Sequence, residues 1–260
     1  MTAPAPDFRA ADGRLAARPT LLVPAALLAL GLLGAGALAG AGVARIRTAD
    51  RSVTVRGVSE REARADLAIW PLRLSATDDD LATASASLQR SAARVRAFLD
   101  AQGLRAGQAG TEITVQDFTV TDARSNQGTY APGSRFVIRQ TLVLRSSDVA
   151  RVQAASQRVG ELVQDGVVLT SGQEYGGGGP TFLFTGLNAL KPPMIAEATA
   201  RAREAAEQFA RDSHSALGGI RSASQGSVEI LPRDQAPGIS EESQLLKIVR
   251  VVTTVDYAIR

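Results

Sequence analysis

The chain has 260 residues, a net charge of +3 from 29 basic and 26 acidic residues, one histidine and no cysteine. The lack of thiols excludes disulfide bonds, thiol catalysis and thiolate metal sites, and the basic residues form no concentrated stripe of the kind that binds nucleic acid. This length allows one large domain or two small ones, each with a real core. Aromatic residues make up only 4% of the chain, so Ala, Val, Leu and Ile must form most of that core.

An uncharged apolar segment, residues 19–44, is the clearest local feature. It is longer than the roughly 20 residues that a helix needs to cross a bilayer and longer than the roughly 7–15 residues of a signal-peptide core. Its length favours an uncleaved anchor in the inner membrane. Ala37 and Ala39 fit the small-residue pattern of a cleavage site, which would give a secreted or periplasmic protein instead. Either alternative predicts an exported domain at 45–260, and the anchor places residues 1–18 in a cytoplasmic tail.

The exported part begins with strands around one helix. Four strands, rich in Val, Ile, Leu or Thr, are predicted over residues 53–58, 67–74, 111–123 and 134–146. Between the second and third of these, apolar residues recur at steps of three and four, which predicts a helix. Asp78–Asp80 is placed to cap the start of this helix, and Gly103 fits the left-handed position that ends it.

Two further helices are predicted in the second half of the chain. The first begins at Ser147 or Asp148 and stops at Gly166. The second has Pro192–Pro193 in its first turn, where a proline removes no paired amide, and it ends at Gly218–Gly219. Its apolar stripe is rich in alanine, which allows close approach to a sheet.

The element order predicts the fold class. Two final strands, residues 220–232 and 245–259, complete the order β-β-α-β-β followed by α-β-β-α-β-β. Hairpins interrupted by single helices are typical of an α+β fold, with antiparallel sheets and helices packed on one face. The order also fits duplicated β-β-α-β-β units joined by a helix, with subdomains at 51–146 and 147–260. No residue-level repeat accompanies this duplication, so it depends on element order alone.

Four consecutive glycines, Gly176–Gly179, raise two alternatives: a phosphate-binding loop or a hairpin turn. A phosphate loop needs a strand before it and a helix N-terminus after it, and the Walker form ends in Gly-Lys-Ser/Thr. Here the run ends in Pro180 and enters a strand-like segment, and Lys191 lies far beyond it. The sequence therefore predicts the tip of a hairpin.

Few side chains could carry catalysis or bind a metal. His214 lies at the end of the third helix, where meeting the helix dipole is its expected role. Asp78–Asp80 lacks the alternating ligands and the glycine of a calcium loop, so capping is the better interpretation. The carboxylates that could serve in acid–base work have no motif around them: Glu60, Glu62, Glu174 and Glu197. We therefore predict no catalytic, cofactor-binding or metal site.

Several segments resemble the SIMPL-domain proteins. They are Leu187-Asn188 with Lys191-Pro192, the Ala-Arg-Ala repeat of the third helix, Ala223–Gly226, Val249–Tyr257, and the opening strand pair Val53–Leu72. The similarity runs from about Arg51 to Arg260. It implies a bacterial exported protein, periplasmic or envelope-associated. Some members of that family are linked to protection against oxidative stress and some assemble into large rings, but the resemblance supplies no catalytic residues.

Two functional hypotheses follow. The favoured one is a non-enzymatic envelope protein that forms homo-oligomers and contacts the membrane through its N-terminal segment, with no nucleic-acid partner. The alternative is a periplasmic small-ligand-binding protein or a carboxylate-based enzyme, with its site between two subdomains. Two methionines and no cysteine give the chain little redox chemistry of its own. A part in oxidative-stress defence would therefore be indirect.

Overall fold

The strands of the chain form two antiparallel sheets in the computed structural model, which describes residues 27, 28, 30–38, 51–124, 134–170 and 178–260. From residue 51 onwards the described strands and helices are β1 Ser52–Arg64, β2 Leu67–Asp78, α1 Leu81–Ala101, β3 Thr111–Asp122, β4 Phe136–Ser146, α2 Val149–Gln157, α3 Gly160–Gln164, β5 Thr181–Leu183, α4 Leu187–Asp212, β6 Leu217–Pro232 and β7 Leu246–Ile259. A short 3₁₀ turn, Glu241–Ser243, lies between β6 and β7.

Each sheet is covered by a helix on one face. The first sheet has the order β1-β7-β6, and α4 packs against it. In its central strand every second residue from Lys247 to Tyr257 is buried, because these side chains point towards α4. The second sheet has the order β3-β4-β2-β5, and α1 packs against β2 and β4. The described strand pairs are antiparallel, so the predicted α+β class is confirmed.

Strand pairing does not divide the chain into the predicted segments 51–146 and 147–260. β1 pairs with β7 over its whole length, whereas β2, which follows after Ala65 and Asp66, pairs with β4 and β5. The first sheet therefore comes from both ends of the domain, and the second comes from its middle. The two β-β-α-β-β units read from element order are not the units that the strands form, because order along a chain does not specify long-range pairing.

The contact between α4 and β1 requires a glycine in the strand. A Cβ at Gly57 would lie 2.6 Å from the backbone nitrogen of Ala202 and closer still to the carbonyl oxygen of Ala198. On the helix side, buried alanines recur at every fourth position: Ala198, Ala202, Ala206 and Ala210. This Ala-rich stripe faces the sheet, as the sequence predicts.

Local signals at the ends of the other helices are confirmed. The carboxylate of Asp80 accepts a hydrogen bond from the Thr83 N–H at 2.8 Å and caps α1, and Asp148 caps α2. Gly103 and Gly166 follow α1 and α3 with φ of 77° and 76°. That left-handed conformation is accessible to glycine without steric cost.

The start of α4 differs from the prediction because Asp66, in the link between β1 and β2, caps it. The carboxylate of Asp66 accepts hydrogen bonds from the backbone N–H groups of Thr185 at 2.8 Å and Gly186 at 3.1 Å. A negative charge there offsets the unpaired amides and the dipole of the helix. The helix consequently begins at Leu187, and Pro192–Pro193 lies inside it rather than in its first turn, where each proline removes one backbone donor.

The end of α4 is set by His214 rather than by the predicted Gly218–Gly219. His214 has φ of 52° and donates its N–H to the carbonyl of Arg211, while Ser215 donates to the carbonyl of Ala210. This pair of hydrogen bonds is the Schellman pattern that usually contains glycine. β6 then begins at Leu217, so the two glycines belong to the strand.

The segments that flank the glycine run do not form the predicted hairpin. Leu169 lies opposite Leu74, and Thr181 lies opposite Ile69, so both flanks follow the same edge of β2 in the same direction. A continuous strand would bring residue 174 opposite Ile69. The chain between Leu169 and Thr181 is therefore seven residues longer than uninterrupted pairing with β2 would require. Residues 171–177, and with them the first two glycines of the run, lie outside the described part.

The predicted anchor or signal segment is described only in part. Residues 27, 28 and 30–38 are helical with exposed side chains, and the rest of 19–44, like the tail 1–18, lies outside the described residues. Among the helices that the structure describes, none combines the length and the apolar character needed to cross a membrane.

We expect Gly57→Ala to lower the free energy of unfolding by about 3 kcal/mol, at the upper end of the usual overpacking effect, because the new methyl group meets helix backbone rather than a movable side chain. Chemical denaturation of the full chain would measure this loss. Gly219→Ala is the matched control, since a Cβ there has nothing within 4 Å, and its effect should stay within about 0.5 kcal/mol. Equal losses in both variants would contradict the tight contact.

Candidate functional site

Three apolar side chains on the edge strand β3 are exposed; we call Val115, Phe118 and Val120 the β3 strip. Their exposed fractions are 50%, 59% and 45%. Val115 lies opposite Leu142, and Val120 lies opposite Ile138. Both partners are buried, and directly opposed residues share a face of the sheet. The strip therefore continues the core face of the second sheet beyond the part that is covered.

The strip is exposed because of its position in the sheet. α1 packs against β2 and β4, and β3 is the outermost strand beyond β4. A bulge between Gln116 and Thr119, with Asp117 at φ of 51°, also interrupts the regular pairing. Bulges at sheet edges hinder the addition of another strand. The strip thus offers apolar side chains rather than a regular ladder of backbone donors and acceptors.

The sequence contains a signal for this bulge, although the strand was predicted without it. The apolar positions of β3 fall at Ile113 and Val115 and then at Phe118 and Val120, so the alternation shifts by one residue. A regular strand keeps a period of two, and one inserted residue restores both pairs to the same face. What the sequence could not show is that the helix leaves this strand uncovered.

Glu197 is the one acid–base candidate that lies in a dense polar cluster. Its carboxylate accepts hydrogen bonds from the buried Ser59 hydroxyl at 2.8 Å and from Arg201 at 2.6 Å, and Arg61 lies 3.5 Å away. The Ser59 hydrogen bond is the largest of the effects that hold the pKa of Glu197 below its ordinary value, and the nearby arginines add to it. A carboxylate kept ionised in this way ties α4 to β1 and is a poor general acid.

The other acid–base and metal candidates do not converge. Glu60 forms an ion pair with Arg250 at 2.6 Å, Glu62 is exposed on β1, and Glu174 lies outside the described residues. Asp78–Asp80 includes the cap of α1, as predicted. In the part of the chain that the structure describes, no group of three or more acidic or histidine side chains could hold a metal ion.

A polar cleft of about 470 Å³ lies where β1, α2 and the connection between β6 and β7 meet. Its described lining contains one acidic residue, Asp234, whose carboxylate is paired with Arg233 at 2.8 Å. The carboxylate-based enzyme that the sequence left open would need two convergent acids with raised pKa values. The described lining does not provide them.

We expect Glu197→Gln to make the free energy of unfolding depend less strongly on pH in the acid range. Because the pKa of Glu197 is lowered in the folded state, its contribution to stability is present above the unfolded-state pKa and is lost as pH falls through the folded-state pKa. The stability difference between wild type and variant should therefore be largest near neutral pH. It should close below the ordinary glutamate value of about 4.5. Denaturant titrations at several pH values would show this, and a gap that stays constant with pH would contradict it.

Comparisons with solved structures give weak likenesses. An amidase of the hydantoinase/carbamoylase family from Burkholderia phymatum is 18% identical, with a TM-score of 0.24, over 54% of this chain and 35% of that chain. This chain thus spans about a third of the amidase's length. A hydrolase from Listeria innocua is 14% identical, with a TM-score of 0.18, over 78% of this chain and 92% of that chain. TM-scores this low support no conclusion about fold or activity. No curated protein matches the chain.

A protein-family model matches the larger part of the domain. The model, SIMPL, is described as a protein of unknown function (DUF541), and it matches residues 53–253. That range begins in β1 and ends in β7, so it includes the Gly57 contact, both sheets and the β3 strip. The chain belongs to the SIMPL family.

Proposed function

We propose that this protein is a non-enzymatic bacterial envelope protein, membrane-anchored or exported, that self-assembles through the β3 strip. The main support for the proposal is that the core face continues onto β3, an edge strand that no helix of the described residues covers, with Phe118 59% exposed. Clustered apolar side chains of this kind mark interaction surfaces more often than isolated ones do. A second copy of the chain is the occupant that family resemblance favours, since some members assemble into rings.

Side-chain packing, rather than strand addition, is the contact that fits this surface. The bulge at Asp117 disrupts the free edge of β3, whereas the strip presents one aromatic and two branched side chains. A few side chains near the centre of an interface, often aromatic ones, contribute most of its binding free energy. A stable interface buries about 800 Å² on each partner, so residues around the strip would have to complete it.

The envelope location is an expectation from the apolar segment at 19–44 and from the family resemblance. The same resemblance motivates a link to oxidative-stress defence. With no cysteine and two methionines in the chain, such protection would be indirect, for example through a partner or through the integrity of an assembly.

The alternative, a small-ligand-binding protein, is favoured by one observation, the polar cleft beside β1. A cleft of about 470 Å³ falls within the usual range for small ligands, about 300–1,000 Å³. The enzyme form of this alternative has less support, because the lining acid Asp234 is already paired with Arg233.

We expect Phe118→Ser to shift the full chain from an oligomer towards the monomer, with at least a tenfold weaker association. Truncating a hot-spot residue weakens binding by about 2 kcal/mol or more, and every 1.4 kcal/mol is about tenfold. Light scattering across a concentration series would give the mass. At concentrations low enough for both proteins to be monomeric, the thermal midpoint of the variant should be close to that of the wild type, because Phe118 is exposed in the single chain.

Phe209→Ser is the matched control for this experiment. Phe209 is also an exposed phenylalanine, at 49%, but it lies on α4 at the other sheet. It should leave the mass unchanged. If both variants dissociate equally, or if the wild type is monomeric at every concentration, the proposed contact is wrong.

A further inference from the structure

The polar cleft lies between the two sheets and is lined from both sides. Arg64 at the end of β1 and Leu246 at the start of β7 come from the first sheet, and Gln153 comes from α2, which packs on the second. The connection between β6 and β7 supplies the rest of the described lining: Arg233, Asp234, Ser243, Gln244 and Leu245. Clefts between two structural units are common places for ligands.

The wall that β6 and β7 contribute is held in place by buried and side-chain hydrogen bonds. The side-chain amide of Gln244 donates to the carbonyl of Asp234 at 2.7 Å and accepts from its N–H at 3.1 Å. Lys247 is completely buried, and its Nζ donates to the backbone carbonyl and the carboxylate of Glu241 at 2.6 Å and 2.7 Å. Ala65 donates its N–H to Leu245. These contacts fix the wall before any ligand arrives, which reduces the ordering cost of binding.

Two lining side chains take no part in this scaffold. Among the described residues, neither the guanidinium of Arg64 nor the side-chain amide of Gln153 has a hydrogen-bond or ion-pair partner, although Gln153 is half-buried. Arg233 uses Nε and Nη2 on Asp234, which leaves Nη1 as a further donor. The lining of the cleft therefore combines residues whose hydrogen bonds build its wall with two residues, Arg64 and Gln153, whose side-chain donors have no described partner.

We propose that this cleft binds a small organic monocarboxylate, with its carboxylate on Arg64 and Gln153. A guanidinium matches the two oxygens of a carboxylate in a bidentate arrangement, and the Gln153 amide adds a donor from the opposite wall. Leu245 and Leu246 supply an apolar surface for a short carbon chain. The site does not depend on self-assembly, since its described lining comes from one copy.

Charge distinguishes a monocarboxylate from a phosphate at this place. Arg64 brings a positive charge without an ion-pair partner among the described residues, while Arg233 is paired with Asp234 at 2.8 Å and also interacts electrostatically with Glu62. A phosphate dianion would bring a second negative charge close to that aspartate, and like charges in a partly desolvated cleft repel. The apolar surface also favours a ligand that has carbon atoms to bury, at about 25 cal/mol per Å² of apolar area.

A ligand-observed NMR titration of the full chain tests the proposal with butanoate, acetate and inorganic phosphate at fixed ionic strength. Butanoate is expected to bind more tightly than acetate, and phosphate is expected to bind most weakly. Arg64→Gln should weaken butanoate binding about tenfold or more, because a charge-assisted hydrogen bond contributes about 1.5–3 kcal/mol. The fold should be unaffected, since Arg64 is exposed.

Arg56→Gln is the matched control. Arg56 lies on the same strand and the same face of the sheet, is exposed, and does not line the cleft. It should leave butanoate binding unchanged. Three results would overturn the proposal: no binding by butanoate, equal losses in both arginine variants, or phosphate binding at least as tight as butanoate binding.

Discussion

The tight packing of α4 on β1 is the constraint on which the rest of the domain depends. Gly57 leaves room for the backbone of the helix at Ala198 and Ala202, and small side chains on one stripe of α4 allow the same approach along the sheet. Ser59 and Glu197 then join strand and helix through a buried hydroxyl and an ionised carboxylate. β1 comes from the start of the domain, and α4 and β7 come from its end. This contact therefore holds the two ends of the domain together, with the second sheet formed by the residues between them.

The closure explains why the two sheets meet where they do. β1 passes directly into β2 through Ala65 and Asp66, and Asp66 returns to cap α4. The start of the helix, the end of β1 and the β6–β7 connection are therefore held within one junction, and the polar cleft is the space that they leave beside α2. In the second sheet the single long helix α1 packs against the two central strands and leaves β3 at the rim. The polar cleft thus lies at the junction of the two sheets. The β3 strip is exposed because α1 packs on β2 and β4 and does not cover the outermost strand.

Local chemistry in the sequence predicts much of this fold, and long-range contacts account for what it missed. The caps at Asp80 and Asp148 and the left-handed glycines at 103 and 166 depend on neighbours within one turn, so a single sequence shows them. The start of α4 depends on Asp66, which is remote along the chain, and its end depends on a left-handed His214 where glycine is the usual residue. Strand-like segments on both sides of the glycine run are expected for a hairpin and also for an interrupted edge strand. Only the pairing of both segments with β2 distinguishes these two structures. At the candidate site, the apolar positions of β3 indicate the bulge in the sequence. The exposure of Phe118 could not be predicted, because it depends on the position of α1 in the fold.

Self-assembly through the β3 strip can be measured directly, because the chain has no cysteine. A single thiol introduced by Val115→Cys in the full chain can be followed by its rate of reaction with a maleimide over a range of protein concentrations. Ala97→Cys, on the exposed side of α1, serves as the reference. We expect the thiol at 115 to be protected at high concentration and to become reactive on dilution, while the thiol at 97 reacts at the same rate throughout. A thiol at 115 that reacts at one fast rate at every concentration would contradict it.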